Sequence, residues 1–154
     1  RRTIYAYLKR TFIPPMFDVL DFCDTARSVE RRSVSTVAPQ ALTLLNGEFV
    51  NRQAYHFAQR LIREAGPAPE NRITYAYQLA LGRPPDHEEL EATLDYLRVE
   101  SQNLLAGEQV SPAPRSVADH NRPPEPITVH IAQEWSLRQM CRVLFNLNEF
   151  VYAD

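Results

Sequence analysis

Lysine, glycine and cysteine are all scarce in this sequence. Lys9 is the one lysine among 17 basic residues, and the 154-residue chain has four glycines and two cysteines. Four isolated glycines cannot form the glycine-rich loop that holds a nucleotide phosphate. The cysteines stand far apart, which excludes a Cys-x-x-Cys-His haem-attachment motif and a paired-cysteine zinc site. We therefore predict no cofactor.

Long apolar runs and a dominant charge are also missing. No stretch approaches the roughly 18 consecutive apolar residues that mark a membrane-spanning helix, so we expect no membrane insertion. The formal net charge is -2 at pH 7, and acidic and basic residues are interleaved along the chain. Such a chain lacks the long-range positive field that attracts phosphate backbones. We therefore expect no nucleic-acid partner.

The remaining composition is that of an ordinary globular protein. Hydrophobic residues make up 44% of the chain and charged residues 23%. A chain of this length usually folds around one core, and we predict a single helical domain over residues 1–154. The chain begins with Arg1 and carries no signal-peptide pattern. We interpret it as a fragment of a larger domain, with any targeting signal outside it.

The four glycines lie where helices are expected to end. They are Gly47, Gly66, Gly82 and Gly107. Glycine accepts the left-handed backbone conformation that closes a helix. Between these positions apolar side chains recur every three or four residues, which is the helical period. The pattern predicts helices near 39–46, 48–65, 70–81, 87–106 and 131–146.

Apolar stripes on these helices predict the core. The stripe of the second helix comprises Phe49, Val50, Ala54, Phe57, Ala58, Leu61, Ile62 and Ala65. The later helices contribute Ile73, Ala76, Tyr77, Ala80, Leu90, Leu94, Leu97, Leu104, Leu105, Trp135, Leu137, Met140, Cys141, Leu144, Leu147 and Val151. Asp86 followed three residues later by Glu89 predicts a capping box. The predicted fold class is mainly α, an irregular helical bundle of about five helices.

Two segments depart from the helical pattern. Residues 107–128 form a predicted Pro-rich loop or linker, because five of the twelve prolines lie between Pro112 and Pro126 and no apolar period is present. Near the N-terminus, apolar residues alternate from Ile4 to Leu8. This period of two predicts an extended or short-strand N-terminal segment, although the same residues could also begin a helix.

Two longer motifs carry a family resemblance. Residues 31–46 read RRSVSTVAPQALTLLN and lead into Phe49-Val50, and residues 140–152 read MCRVLFNLNEFVY. In this order and at this separation they resemble a planctomycete-specific C-terminal domain of unknown function, from large bacterial proteins that often carry a cytochrome c-like domain. The resemblance extends over residues 1–152.

The resemblance implies that this chain is the C-terminal half of that domain. It also implies export to the periplasm or cell surface, with other domains of the parent protein as partners, a cytochrome c-like domain among them. No catalytic residues are established for the family, so the resemblance assigns none to this chain.

The densest group of potential metal ligands lies at residues 86–91. His87 and Glu91 are four residues apart, so both side chains would project from one helix face. Acidic residues in a first helical turn are also favoured by the helix dipole without any metal. The surrounding pattern from Leu81 to Leu90 resembles a helix-turn-helix connection of several secreted bacterial modules. We predict no metal site here.

The other candidate groups are weaker. Ser116, Asp119 and His120 supply the residue types of a hydrolase triad, but they lie in the Pro-rich segment, whereas a triad needs rigid supporting elements. His56 and His130 have no carboxylate or cysteine partner at useful spacing, and we expect solvated or hydrogen-bonded histidines. We therefore predict no catalytic residues.

Arg31 and Arg32 precede the first predicted helix, together with three hydroxyl side chains. The hydroxyls belong to Ser33, Ser35 and Thr36. The group could bind an anion in front of the helix. In the alternative interpretation, Arg32 pairs with Asp18 or Asp21, and the hydroxyls accept hydrogen bonds from free backbone N–H groups.

Cys23 and Cys141 also leave two alternatives. In an exported protein a bridge between them would close a long loop and contribute about 4–5 kcal/mol. The other interpretation is that Cys141, which falls on an apolar helix face, is a buried free thiol.

Two hypotheses for function follow. The first is a helical structural or interaction module that packs against other domains of a larger protein. The second is part of an enzyme or redox protein whose active site is completed by the missing N-terminal half. We also expect self-association through an N-terminal apolar surface, or poor ordering of that surface. Its residues are Ile4, Tyr5, Tyr7, Leu8, Phe12, Ile13, Met16 and Phe17.

Overall fold

A computed structural model describes residues 38–107 and 127–151, together with the isolated positions Phe17, Val19 and Phe22. Residues 38–107 and 127–151 form six helices and no strand. The helices are α1 (Ala38–Asn46), α2 (Glu48–Glu64), α3 (Pro69–Leu81), α4 (His87–Ala106), α5 (Val129–Leu144) and the short α6 (Asn148–Val151). The predicted mainly α class with about five helices is confirmed.

Several predictions fall on residues outside this description. They are the extended or strand-like start of the chain, the apolar surface from Ile4 to Met16, and the interior of the Pro-rich segment. The chain divides into two compact units, Arg1–Leu44 and Leu45–Asp154, and helices α2 to α6 all belong to the second. A single domain over 1–154 stays a prediction. No helix in the described ranges is long and apolar enough to cross a bilayer.

Three of the four glycines close helices as predicted. Gly66, Gly82 and Gly107 have φ values of 78°, 75° and 74°, in the left-handed region that favours glycine. Gly47 also follows the end of a helix, since α1 ends at Asn46, but it is not left-handed, with φ -62° and ψ 135°. It is an extended residue that serves as the N-cap of α2, because one residue alone separates α1 from α2 and must start the second helix.

Side-chain caps set the starts of α4 and α5. Asp86 Oδ1 accepts a hydrogen bond from the Glu89 backbone N–H at 2.7 Å, and Glu89 Oε2 accepts one from the Asp86 N–H at 2.8 Å. The predicted capping box is therefore present. Thr128 Oγ1 accepts from the Ile131 N–H at 3.3 Å, so α5 begins at Val129, two residues earlier than predicted.

The main core is built from α2, α3 and α5, with partly buried side chains of α4 packed against it. Its buried members are Ala54, Ala58, Leu61, Ile73, Ala76, Tyr77, Leu137, Met140, Cys141 and Leu144. A smaller cluster joins Leu104 to Ala132 and Trp135. Helix α5 is the central element, because half of its residues are buried and it packs against both α2 and α4.

Two predicted core residues are exposed. Phe49 is 49% exposed and Leu105 is 46% exposed, whereas their chain neighbours Val50 and Leu104 are buried. Successive residues on a helix point about 100° apart, so one member of each adjacent apolar pair faces the core and the other does not. The predicted stripes were too wide at these two places.

Cys141 is a free thiol with no exposed surface. Burial raises its pKa well above the ordinary range, because the thiolate would lose its hydration. A buried thiol of this kind is chemically inert. Cys23 lies outside the described residues.

Candidate functional site

An open cleft of about 950 Å³ is lined by the start of α3, the length of α4 and the first half of α5. Its volume is at the upper end of the range typical of ligand-binding pockets. Helix α4 contributes side chains from Glu91 to Leu105, and α5 contributes Val129, Gln133 and Leu137 at four-residue intervals. The helical period therefore brings one face of each helix to the cleft.

The apolar side chains of the cleft range from buried to exposed. Leu137 is 2% exposed, Leu94 and Leu97 are half-buried, and Leu105 and Val129 are 46% and 58% exposed. Exposed apolar side chains that continue a buried apolar surface are typical of binding sites rather than of an ordinary protein surface.

Charged side chains form the rim of the cleft. Asp95 pairs with Arg98 at 2.5 Å, and both side chains are more than 60% exposed. The Arg72 Nε–H donates to the Gly66 carbonyl at 2.7 Å. Exposed ion pairs contribute little to stability because water screens them. These charges are suited to orienting a partner at the rim, and they are not shielded as acid–base catalysts usually are.

The Ser101 hydroxyl of the cleft is engaged by the helices. Ser101 Oγ lies 3.0 Å from Ser136 Oγ, which links α4 to α5. Ser101 also donates to the Leu97 carbonyl, and Ser136 to the Ala132 carbonyl. The two hydroxyls therefore act as a structural link.

The predicted candidate residues are dispersed. His87 and Glu91 do pair, with Nδ1 and Oε2 at 3.6 Å, but their side chains are 84% and 70% exposed. Within residues 38–107 and 127–151, no three potential ligands are grouped for a metal ion. Glu91 also lines the cleft, so the pair lies at its rim.

The two other described histidines have different surroundings. His56 is exposed and contacts the edge of the Tyr55 ring, with centroids 5.4 Å apart. His130 Nδ1 lies 4.0 Å from Glu134 Oε2, one helical turn away. The prediction that His130 has no carboxylate partner was therefore wrong, because the i, i+4 spacing to Glu134 was overlooked.

The remaining candidates lie outside the described residues. They are Ser116, Asp119 and His120 of the triad-like group, and Arg31, Arg32, Ser33, Ser35 and Thr36 of the anion-site hypothesis. Their roles stay predictions.

Arg83 connects two motifs that the sequence keeps far apart. Its guanidinium donates to both oxygens of Glu89 at 2.7 and 2.8 Å, and to both oxygens of Glu149 at 2.8 Å. The hydrogen bonds from Arg83 and from the Asp86 backbone lower the Glu89 pKa to about 2. The Glu149 pKa is also lowered, mainly by Arg83.

The geometry of Arg83 links the capping box at the start of α4 to the C-terminal motif. Glu89 belongs to the capping box that starts α4, and Glu149 belongs to α6 near the C-terminus. One planar guanidinium can bind two carboxylates at once because its donors form a fork along separate edges. The arrangement fixes the C-terminal motif against the turn before α4, which is a structural function.

A protein-family model matches more than half of the chain. The model of PSD1, a family described as "Protein of unknown function (DUF1553)", matches residues 1–97, and the chain belongs to this family. The match includes the motif at 31–46 and the turn at 82–90, and it ends within α4, before the C-terminal motif. No curated protein and no solved structure matches the chain.

Proposed function

We propose that this chain is a helical structural and interaction module of a larger, exported bacterial protein. In this role it binds other domains of the same protein through the cleft between α3, α4 and α5. The observation that carries the proposal is the combination of a large open cleft, half-exposed apolar walls and a charged rim. Apolar contact would supply the affinity, and the rim charges would set the orientation.

The expected occupant is an apolar segment of a neighbouring domain. Leu105 and Val129 stay in water when the cleft is empty, so covering them yields hydrophobic free energy. The sequence resemblance described above names a cytochrome c-like domain among the domains of such proteins, and this is the first partner to consider. The planctomycete setting and the cytochrome association are parts of this proposal.

The alternative is a portion of an enzyme completed by residues outside this chain. The carboxylates beside the cleft, Glu70, Glu91 and Asp95, are all exposed. A carboxylate that works as a general acid or base is usually shifted by a shielded environment. No arrangement in the described part of the chain favours the enzyme over the module.

Site-specific photo-crosslinking in the full-length parent protein tests the module. A photoreactive amino acid would be placed at Leu105, at Val129 or at Val143. Val143 is the matched control, because it is a valine on the same helix and 49% exposed, but it does not line the cleft. We expect the two cleft positions to crosslink to another domain and Val143 not to do so. Equal labelling from all three positions, or none from the cleft, would contradict the proposal.

A further inference from the structure

Two arginines lie one turn apart on the side of α5 that faces away from the cleft. Arg138 is 8% exposed, and Arg142 is half-buried. At 100° per residue their side chains leave α5 opposite the side that carries Val129 and Gln133. The arginine pair is therefore a separate feature from the cleft, and an inference about it does not depend on the function proposed above.

Neutral groups hold both arginines in place. The Arg138 guanidinium stacks over the Trp135 ring at 4.8 Å and lies 5.9 Å from the centre of the Tyr55 ring. Arg142 donates through Nη2 to the Leu45 carbonyl at 2.6 Å and through Nη1 to Gln139 Oε1. These contacts hold each guanidinium in place without neutralising its charge.

The Nε–H group of each arginine has no hydrogen-bond acceptor. Both groups, on Arg138 and on Arg142, are buried. Within the described ranges, neither arginine pairs with a carboxylate. A buried N–H group without an acceptor is rare and costs free energy, and two on adjacent turns are a specific feature of this site.

The positive charges of Arg138 and Arg142 are destabilised by burial and by each other. Burial lowers the pKa of both arginines, and the charge of Arg142 lowers that of Arg138 further. A bound carboxylate would raise both pKa values instead. An unpaired buried charge is destabilising, and natural proteins keep such a cost mainly at functional sites.

Asn51 adds an unused acceptor on α2. It is 3% exposed, and its Nδ2 donates to the Gly47 carbonyl at 3.0 Å, while its Oδ1 accepts no hydrogen bond. In the chain Asn51 lies between Leu45, which contacts Arg142, and Tyr55, which contacts Arg138. The three groups without partners therefore lie where α5 packs against α2 and the end of α1.

We propose that Arg138 and Arg142 bind the side-chain carboxylate of an aspartate or glutamate from a partner polypeptide. A carboxylate has two oxygens, one for each Nε–H donor that lacks an acceptor, and charge-assisted hydrogen bonds of this kind are strong. A backbone N–H of the same acidic segment would satisfy Asn51 Oδ1. Recognition of acidic motifs by arginine clusters is a recurring mode of peptide binding.

Asn51 Oδ1, which accepts no hydrogen bond, favours a polypeptide ligand over a free inorganic anion. A phosphate or sulfate ion would accept from both arginines, but it offers Asn51 Oδ1 no suitable donor and brings further negative charge towards it. A peptide carries the carboxylate and an N–H donor together. Trp135 and Tyr55 would provide apolar contact beside the charged group.

The sole tryptophan makes the site directly observable. Trp135 is the one tryptophan of the chain, and Arg138 stacks on it. The probe would be a blocked peptide with Asp-Glu-Asp at its centre and glycines on both sides. The control peptide would carry Asn-Gln-Asn, and sodium phosphate and sodium acetate would be titrated at the same ionic strength. Trp135 fluorescence and the NMR signals of the indole and arginine Nε–H groups would report binding to the full chain.

We expect the acidic peptide alone to give a saturable change at these signals. Replacing either arginine, as Arg138→Met or Arg142→Met, should weaken its binding at least about tenfold, which is the loss of one charge-assisted contact. Arg60→Met, which removes an exposed arginine that is paired with Glu64 and does not line the cleft, should leave binding unchanged. The proposal is overturned if the amide peptide, phosphate or acetate acts as well as the acidic peptide, or if no probe binds.

A stability measurement separates recognition from a structural role. Without its ligand, Arg138→Met should keep or raise the thermal midpoint, because it removes an unpaired buried charge and retains an apolar side chain against Trp135. A structural arginine would give the opposite result. A lowered midpoint together with unchanged peptide binding would therefore contradict the proposal.

Discussion

Arg83 and Glu149 are joined by two parallel hydrogen bonds of 2.8 Å across 66 residues of sequence. The same guanidinium binds Glu89, whose backbone N–H is held by the N-cap of α4. The start of one helix and the position of another thus depend on one side chain. Substitutions of Arg83 should affect the attachment of α6 more than that of any other helix.

The first prediction concerns the attachment of α6. Arg83→Lys keeps the charge but cannot form two bidentate pairs, so it should release α6 while α4 retains its cap. We expect faster amide hydrogen exchange at Phe150 and Val151, with little change in α2. Arg98→Lys, at an exposed pair on α4, is the matched control. Unchanged exchange in α6 would show that the ring contact between Phe145 and Phe150, with centroids 4.9 Å apart, holds this helix without Arg83.

The second prediction concerns acid stability. The Glu89 pKa falls from its ordinary value of 4.5 to about 2 in the folded state, mainly because Arg83 hydrogen-bonds its carboxylate. A lowered folded pKa means that this carboxylate stabilises the fold above about pH 4.5 and loses its contribution as the pH falls towards 2. Glu149, whose pKa is also lowered, acts in the same direction.

The variant Glu89→Gln measures this contribution. Glutamine still accepts the Asp86 N–H, so the capping geometry is retained while the charge is removed. Urea unfolding should show the variant to be less stable than the native chain at pH 7, and this difference should shrink as the pH is lowered through 4 towards 2. Since the groups are partly exposed, added salt should also reduce it. A pH-independent difference would assign the effect to the cap rather than to the ion pair.

Helix positions were predictable because local signals determine them. Gly82 and Gly107 end α3 and α4, and Asp86 with Glu89 starts α4, so each boundary is encoded within a few residues. Helix α5 begins two residues before the predicted start, because the Thr128 N-cap determines that boundary and the apolar period does not.

The cleft and the buried arginines were not predictable in the same way. Arg138 occupies a position where the helical period allows a polar residue, and only the packing of Trp135 and Tyr55 reveals that it is buried. The cleft likewise depends on how far α3 and α5 are separated beside α4, which is a tertiary property. By contrast, the pairing of His130 with Glu134 is encoded in the sequence, as a spacing of four residues on one helix.

The third prediction tests the placement of the core. Leu61 has no exposed surface and belongs to the main cluster of α2, α3 and α5. Leu61→Ala should lower the free energy of unfolding by about 2–5 kcal/mol, because it removes buried methyl groups and leaves a cavity. Leu79→Ala, at a leucine that is 38% exposed, should cost clearly less. Equal losses measured by urea unfolding would show that the core is elsewhere.

The fourth prediction concerns the reactivity of Cys141. Its thiol has no exposed surface, and burial raises its pKa, so almost no thiolate is present at neutral pH. In a Cys23→Ser background, Cys141 should react with a thiol reagent only as fast as the protein opens. Adding urea below the unfolding midpoint should accelerate the reaction, whereas raising the pH from 7 to 9 in the absence of opening should still leave it slow. Rapid labelling of the folded chain at pH 7 would show that the contact between α2 and α5 around this residue opens readily, and it would contradict the central position assigned to α5.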